Sequence, residues 1–396
     1  MMQQVILVIN AGSSSIKFAI YTLSSANTLQ AIYHGMAEGI GVKPHFFVKN
    51  QTNEAIVDCA VSDERGQSHI GMLSVLLDWL DTHNEEQTLL AVGHRVVHGG
   101  DTFRSPVVID DDVIAKITEL TPLAPLHQPH HLAAIHALQQ LRPELPQVAC
   151  FDTAFHRSQE PIAQMFAISR ELMQQGVKRY GFHGLSYEYI ASVLPDYVGM
   201  ENTGKTIVCH LGNGASLCAI EHGQSVASTT GFSAVEGLPM GTRCGSIDVG
   251  VALHLWEQGY SLKQATDVFY KQSGLLGMSG GISADMRILL DNDDPNAQEA
   301  VEHYCYRVAR EIGSLAVAMQ GLNHIVFTAG IGEHAAPVRE KVCERLAWLG
   351  VGLDTQANQQ GQSLISTDDS QIAVWVIPTN EEIIIAQHSL KLVSTS

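Results

Sequence analysis

Three glycine-rich turns, each following an apolar stretch, are the features of this sequence most suited to chemistry. They read NAGSSSIK (10–17), HLGNGAS (210–216) and TAGIGEH (328–334). Small residues let successive backbone N–H groups converge on one anion, and serine hydroxyls add further donors. A single turn of this kind is as often an ordinary connection. Three of them at strand ends predict that the chain holds a polyphosphate from more than one side.

The first turn matches neither of the two best-known phosphate motifs. A Walker A loop needs Gly-x-x-x-x-Gly-Lys-Ser/Thr between a strand and a helix, but Lys17 follows Gly12 too early and a strand pattern comes next. The later glycines of a dinucleotide fingerprint are missing as well. We therefore predict a β-hairpin tip in which Lys17 supplies the point charge.

Strand and helix patterns alternate along the chain, which predicts an α/β architecture. A hairpin pattern at 205–221 repeats the opening one two hundred residues later, so that Asn10 matches His210 and Gly12 matches Gly212. This repeat favours a duplicated domain with a cleft between the copies. A length of 396 residues also exceeds what one core usually supports.

Other segments follow the same alternation. Apolar spacing predicts helices at 68–83 and 301–319, and acidic residues begin another at 110–120. A short buried strand ends just before Asp152. The segment 324–342 is predicted as strand, glycine-rich loop and helix, and the final helix follows Thr379 and Glu382, which are spaced as a capping box.

Composition excludes several classes of protein. With 23 basic and 41 acidic residues, the net charge is −18, which argues against nucleic-acid or anionic-membrane partners. No signal peptide or transmembrane stretch is apparent, so we expect a cytoplasmic protein. Scattered cysteines without a Cys-x-x-Cys pair predict reduced thiols; they are Cys59, Cys150, Cys209, Cys218, Cys244, Cys305 and Cys343.

Nine segments in order, covering essentially the whole chain, resemble the signature segments of the acetate kinase family. They are NAGSSSIKFAIY, GHRVVHGG, FDTAFH, RYGFHG, HLGNGAS, MGTRCGSID, SGLLGMSGGISADMR, TAGIGE and PTNEE. The resemblance implies two actin-like (ribonuclease H-like) domains with a nucleotide cleft between them. We assign them to 1–150, joined by the C-terminal helix 382–396, and to 151–381, which binds the nucleotide.

The same resemblance implies Mg²⁺-dependent, reversible phosphoryl transfer between ATP and acetate, giving acetyl phosphate and ADP in a homodimer. Phosphoryl transfer needs positioning and positive charge, and an ionised carboxylate acceptor needs an arginine rather than a strong base. By motif match, the catalytic residues are Asp152, His183 and Arg243. The residues that bind the acid are Arg95, Val97, Leu126 and Phe182.

The resemblance also implies ligands for the nucleotide and the metal. Asn10 and Glu381 match magnesium ligands, and Mn²⁺ would substitute for Mg²⁺. The ATP/ADP contacts are Ser13, Ser15, Lys17, His210, Leu211, Gly212, Asn213, Gly214, Asp285, Met286, Arg287, Gly330, Ile331, Gly332, Glu333 and His334. Cys244, Ser246 and His334 depart from the family pattern, which commonly has Ser, Asp and Asn there.

Several alternatives stay open. Propionate kinase shares these motifs and differs in pocket size around Val97, and butyrate kinase matches them less closely. An actin-like or Hsp70-like ATPase, or an inactive binding subunit, should lack the set of Arg95, His183 and Arg243. For Asp152 we favour organisation of Mg²⁺ and its waters over proton transfer. A zinc site in the histidine run 127–136 is a weaker alternative.

Overall fold

The computed structural model describes residues 3–24, 28–83 and 87–394. Its strands are β1 Gln3–Ala11, β2 Ser15–Leu23, β3 Leu29–Glu38, β4 His45–Asn50, β5 Ala55–Ala60, β6 Gln87–Val96, β7 Val107–Val108, β8 Gln147–Phe151, β9 Lys205–Leu211, β10 Ala215–Glu221, β11 Gln224–Ser228, β12 His324–Thr328 and β13 Ala373–Val376. Its helices are α1 His69–His83, α2 Asp111–Glu119, α3 Gln128–Leu141, α4 Arg170–Gln174, α5 Gly184–Val198, α6 Val249–Glu257, α7 Leu262–Lys271, α8 Gly274–Met278, α9 Met286–Leu290, α10 Pro295–Met319, α11 Ala329–His334, α12 Ala336–Glu344, α13 Thr355–Gln359 and α14 Glu381–Ser394.

These elements form two compact units. One consists of Met1–Ala154 with Asn380–Ser396, and the other of Phe155–Thr379. The α/β class predicted from the alternating patterns is confirmed. Residues 395–396, the end of the predicted final helix, lie outside the described residues.

The first unit is built on an eight-stranded sheet in the order β5-β4-β3-β2-β1-β6-β8-β7. The predicted first hairpin is present, with β1 antiparallel to β2 and Asn10 opposite Lys17. The strands β1, β6 and β8 run parallel, so their carboxyl ends lie along one edge. Helix α14 packs close to β6 because Gly93 has no side chain, and an added Cβ there would lie 2.5 Å from atoms of Ile385 and Ser389.

The second unit repeats this arrangement in a five-stranded sheet, β11-β10-β9-β12-β13. Again a hairpin is followed by two parallel strands, and His210 lies opposite Ser216 as Asn10 lies opposite Lys17. The long helix α10 buries the predicted apolar face, including Val301, Cys305 and Val308, against this sheet. The predicted second hairpin is therefore confirmed, and the second sheet has the strand order and directions of β3-β2-β1-β6-β8 in the first sheet.

Two local predictions are wrong. Residues 329–334 were predicted as a loop but form the short helix α11. The capping box of Thr379 and Glu382 is absent, because α14 begins one residue later and the Oδ1 of Asn380 accepts from the Ile383 amide at 3.0 Å. The Thr379 hydroxyl instead hydrogen-bonds with Ser186 at 2.8 Å.

The state of the cysteines and the length of the helices bear on the classes of protein considered from composition. All seven cysteines are free, and five of them are buried. Burial raises the pKa of Cys218 to about 12, as expected of an inert core thiol. Within the described ranges, the helices are all too short or too polar to cross a membrane.

Candidate active site

An arginine and two carboxylates meet in the first unit, where the parallel strands end. Arg95 lies near the end of β6, Asp152 follows β8, and Glu381 begins α14. The Arg95 Nε and Nη2 donate to the two carboxylate oxygens of Asp152 at 3.0 and 2.7 Å, and Arg95 Nε lies 3.9 Å from Glu381. Asp152 is buried, whereas 22% of the Arg95 side chain and 17% of Glu381 are exposed.

The charged groups here shift one another's pKa values. The pKa of Glu381 is raised to about 7, chiefly by burial, with Arg95 and Lys17 lowering it and Asp152 and Glu382 raising it. Burial alone would lower the pKa of Arg95, but Asp152 and Glu381 together hold it above its ordinary value. The guanidinium is therefore permanently charged, while Glu381 holds a proton that it can lose near neutral pH.

Buried histidines hold the strand that carries Arg95. The Nδ1 of His131, on α3, donates to the Arg95 carbonyl at 2.6 Å, and burial lowers the pKa of His131 to about 3. His94 hydrogen-bonds with Gln147 on the neighbouring strand at 2.7 Å. Both imidazoles are neutral, so they fix β6 without adding charge beside Arg95.

The histidine run forms no metal centre in the described part of the chain. His131 is used by the Arg95 carbonyl, and His136 hydrogen-bonds with Gln139 at 3.3 Å. No group of three or more His, Cys, Asp or Glu side chains that could hold an ion was found among the described residues. The zinc alternative therefore lacks a ligand set there.

The tip of the β1–β2 hairpin carries the first predicted phosphate loop. Ser13 and Lys17 are exposed, and Ser15 is half-buried. The Gly12 amide donates to the Ser15 carbonyl at 2.7 Å, which tightens the turn. His69 Nε2 donates to the Gly12 carbonyl at 2.8 Å, a contact that the sequence did not suggest because 57 residues separate the two.

The other residues predicted to bind the acid, Val97, Leu126 and Phe182, differ in position and exposure. Val97 is buried directly after β6, whereas Leu126 is 44% exposed just before α3. Phe182 belongs to the second unit and is buried; its amide donates to Thr230 and its carbonyl accepts from His156. The roles of these three side chains stay predictions.

In the second unit, two predicted catalytic side chains flank the tip of the β9–β10 hairpin. A Cβ placed on Gly214 would lie 3.2 Å from His183 Nε2 and 4.0 Å from Arg243 Nη1. His183 precedes α5 in the left-handed conformation, with φ of 58°. The absence of a side chain at Gly214 therefore leaves space that an imidazole and a guanidinium border.

A polar network orients the two histidines at this tip. The rings of His183 and His210 stack with centroids 4.4 Å apart. His183 Nδ1 hydrogen-bonds with Ser216 at 2.7 Å, and His210 Nδ1 hydrogen-bonds with Ser186 at 2.8 Å. Hydrogen bonds between the start of α5 and the β9–β10 hairpin thus fix both ring planes.

Arg243 and its unusual neighbours are held by the backbone. Its Nη1 donates to the Ala234 carbonyl at 3.0 Å. Ser246 exchanges hydrogen bonds with the Gly237 backbone, accepting at 3.1 Å and donating at 3.0 Å. Burial raises the pKa of Cys244, so its thiol is neutral. The departures from the family pattern at 244 and 246 therefore leave a locally satisfied loop.

A cavity of about 850 Å³ in the second unit brings together half of the predicted nucleotide contacts. From those predictions it is lined by Gly212, Asn213, Asp285, Met286, Arg287, Gly330, Ile331 and His334. Sequence reasoning missed the lining residues Ala284, Leu290, Asp291, Gln298, Val301, Ala335, Pro337 and Lys341. Most of these lie in α9, α10 and α12, where an ordinary helical pattern gives no sign of a ligand.

The third glycine-rich turn is held in place by Glu333 and Arg339. The Glu333 Oε1 accepts from the amides of Ala329 and Thr379 at 2.7 and 3.1 Å. Buried Arg339 donates to the carbonyls of Gly332 and Glu333 at 2.8 and 2.9 Å. The carboxylate caps the start of α11 and the guanidinium its end. His334 is largely exposed at the rim of the cavity.

The first unit suits only a divalent cation that takes most of its ligands from substrate and water, because the described residues there form no cluster of three protein ligands. The acidic residues Asp152, Glu381 and Glu382 outnumber the basic residues Arg95 and Lys17 here, although burial is the main cause of the raised pKa of Glu381. Mg²⁺ typically takes one or two protein carboxylates and completes its shell with phosphate oxygens and water. Asn10, at the end of β1, and Glu381 are the residues that would hold it.

Known proteins are similar to this chain over nearly its whole length. The model of the acetokinase family matches residues 5–387. An acetate kinase of Rhodopseudomonas palustris is 51% identical over 399 residues, 99% of either chain. The crystal structure of a propionate kinase from Francisella tularensis has a TM-score of 0.91 at 37% identity, covering 99% of this chain and 100% of that one. That of an acetate kinase from Porphyromonas gingivalis has a TM-score of 0.88 at 34% identity, covering 98% and 100%. The resemblance drawn from the nine segments is confirmed, and the chain belongs to the acetokinase family.

Proposed function

We propose that this protein transfers the γ-phosphoryl group of ATP to acetate, reversibly and with Mg²⁺, giving acetyl phosphate and ADP. The observation that carries the proposal is the space at Gly214, bordered by His183 Nε2 and Arg243 Nη1. A transferring phosphoryl group spreads negative charge over its oxygens, and a cationic donor aimed at it stabilises that charge.

The first unit supplies what the acid needs. Acetate arrives ionised and requires a fixed positive charge, which Arg95 provides. Its Nε and Nη2 are held by Asp152, so the guanidinium is locked in orientation before the acid binds. Val97, buried on the same strand end, offers an apolar contact for the methyl group. Among the described residues Nη1 has no protein partner, and it is the nitrogen that we assign to the acid.

The second unit supplies what the nucleotide needs. The cavity beside α11 combines apolar side chains for a base with Asp285 and Arg287 at its edge. The tip at 210–214 offers backbone amides to the phosphates. Asn10 and Glu381 would hold Mg²⁺, which would supply charge neutralisation for phosphate oxygens. Mn²⁺ has the same ligand preference and would substitute for it.

The direct test is acid-dependent turnover. With MgATP and acetate, the protein should form ADP, and hydroxylamine should trap acetyl hydroxamate. Arg243→Ala should lower kcat by about 10³-fold or more, the effect of removing such an arginine. Arg310→Ala, which removes an exposed arginine of α10, is the matched control and should leave kcat unchanged. Equal activity in the two variants would contradict the role of Arg243.

Propionate is the second candidate acceptor, because the solved relative at 37% identity is described as a propionate kinase. One methylene in an apolar pocket changes preference by only about 1–3 kcal/mol. Comparing kcat/KM for acetate, propionate and butyrate decides between them. We propose acetate because the matched relatives of higher identity are acetate kinases.

We also propose a homodimer in the cytoplasm. Helix α6 buries none of its residues although it is markedly apolar, and Val249, Leu253 and Trp256 are at least half exposed. Soluble monomers rarely leave a continuous apolar surface of this kind uncovered. Light scattering should give a dimer for the protein and a monomer for Leu253→Glu. Val317→Glu, at an isolated exposed position on α10, should remain dimeric.

A further inference from the structure

We propose that Tyr187 and Ser216 are positioning residues that hold His183 as the neutral tautomer protonated at Nε2. The inference rests on the proposed function, because it assigns to His183 the task of donating a hydrogen bond to the transferring phosphoryl group. It adds two residues to that task, and neither was predicted from the motifs.

The three side chains form a hydrogen-bonded series inside the second unit. His183 Nδ1 lies 2.7 Å from the Ser216 hydroxyl oxygen, which also hydrogen-bonds with the Tyr187 hydroxyl. Ser216 and Tyr187 are fully buried. Tyr187 lies four residues after His183 in the first turn of α5, so both side chains project toward β10, where Ser216 lies.

The acidities of the Tyr187 and Ser216 hydroxyls determine which group donates each hydrogen bond. A phenol, with a pKa near 10, is a far stronger acid and hydrogen-bond donor than an alkyl hydroxyl. Tyr187 therefore donates to Ser216. The single hydroxyl proton of Ser216 is then directed at His183 Nδ1, which must accept. A neutral imidazole that accepts at Nδ1 carries its proton at Nε2.

This tautomer is the one that the reaction requires. His183 Nε2 borders the space at Gly214, together with Arg243 Nη1. Phosphoryl oxygens accept hydrogen bonds and donate none, so a protonated Nε2 attracts them and a lone pair at Nε2 repels them. Stacking on His210 fixes the ring plane but leaves the proton position open. Tyr187 and Ser216 decide it.

The test reads the proton position directly. In protein labelled with ¹⁵N at the histidine rings, His183 is assigned from the signals lost in His183→Gln. We expect an unprotonated Nδ1 and a protonated Nε2 at pH 8. Tyr187→Phe removes one oxygen and should give a mixture of tautomers. It should lower kcat about tenfold, as expected for one lost hydrogen bond. The KM values for both substrates should stay nearly unchanged. Ser216→Ala should have the larger effect.

Tyr189→Phe is the matched control, since it removes the same group from the same helix at a half-buried site outside the network. It should leave the tautomer and kcat unchanged. A protonated Nδ1 in the unmodified protein would overturn the proposal, and so would a Tyr187→Phe variant indistinguishable from Tyr189→Phe. If the unmodified protein fails to phosphorylate acetate, the proposed function fails, whereas the nitrogen shifts still decide the tautomer.

Discussion

Replacing Asp152 by asparagine tests how the first unit holds Arg95. The change keeps the shape of a buried side chain but removes its charge, and an amide N–H then faces one of the two guanidinium donors that are now 3.0 and 2.7 Å from the carboxylate. One charge-assisted hydrogen bond is lost and Arg95 loses its closest counter-ion. Glu381, 3.9 Å from Arg95, remains as a partial substitute.

The free energy of unfolding that Asp152→Asn should lose lies between two known limits. Losing a hydrogen bond to a charged group costs about 1.5–3 kcal/mol, and breaking a buried ion pair costs about 3–5 kcal/mol. Because Arg95 keeps Glu381 and some solvent contact, we expect about 2–3 kcal/mol. Units of 150–250 residues lose about 2–4 °C per kcal/mol, so the unfolding midpoint of the first unit should fall by about 4–12 °C.

Calorimetry measures this change, with Asp112→Asn as the matched control. Asp112 pairs with Lys116 on the exposed face of α2 in the same unit, and such surface pairs contribute little. Its midpoint should not move measurably. If Asp152→Asn unfolds at the same temperature as Asp112→Asn, the buried pair does not stabilise this unit and our reasoning about Arg95 is refuted.

The same variant separates two roles for Asp152 in the reaction. If Asp152 organises Mg²⁺ and its waters, Asp152→Asn should lose turnover mainly through a higher Mg²⁺ requirement, and raised Mg²⁺ should restore part of the rate. Assays at pH 8 keep Glu381 ionised, since its pKa is about 7. An unchanged Mg²⁺ response with lower kcat would contradict this role.

Three further predictions concern the other parts of the site. Gly214→Ala adds a Cβ 3.2 Å from His183 Nε2 and should lower kcat at least tenfold, whereas Gly313→Ala, with nothing within 4 Å of the added atom, should not; initial rates check both. Glu381, with a pKa of about 7, must lose its proton to bind Mg²⁺. The apparent Mg²⁺ affinity should therefore rise about tenfold per pH unit below pH 7 and level off above it. In Mg²⁺ titrations, Glu381→Gln should abolish this pH dependence. Glu333→Ala removes the acceptor of two backbone amides and should raise the KM for ATP about tenfold, while Glu333→Gln, which keeps an oxygen acceptor, should have a smaller effect; an equal effect would assign the role to charge alone.

The parts of the fold that local patterns determine could be predicted. Alternating apolar residues around a glycine turn define a hairpin, so both hairpins and their matched positions, Asn10 and His210, followed from the sequence. The first residue of α14 could not be predicted from the sequence, because Asn380 and Thr379 are both good N-caps and only tertiary contacts decide between them. Thr379 is occupied by Ser186, and Asn380 caps the helix.

The site shows the same division. Motifs predicted roles for Arg95, His183 and Arg243, because their neighbours in sequence are distinctive, and these roles stay predictions. The groups that orient them come from distant segments: His131 holds the Arg95 carbonyl, and Ser216 holds His183. His131 lies in a histidine run and Ser216 in a glycine-rich turn, but neither pattern indicates which group the side chain contacts, so such contacts emerge only when the chain is folded.

The most direct test of the central claim is the stoichiometry of products from MgATP and ¹³C-labelled acetate, followed by ³¹P and ¹³C NMR. We predict acetyl phosphate and ADP in equal amounts, formed only when acetate, ATP and Mg²⁺ are all present. Formation of ADP and inorganic phosphate at a rate independent of acetate would contradict the claim and indicate an ATPase of the actin or Hsp70 type instead.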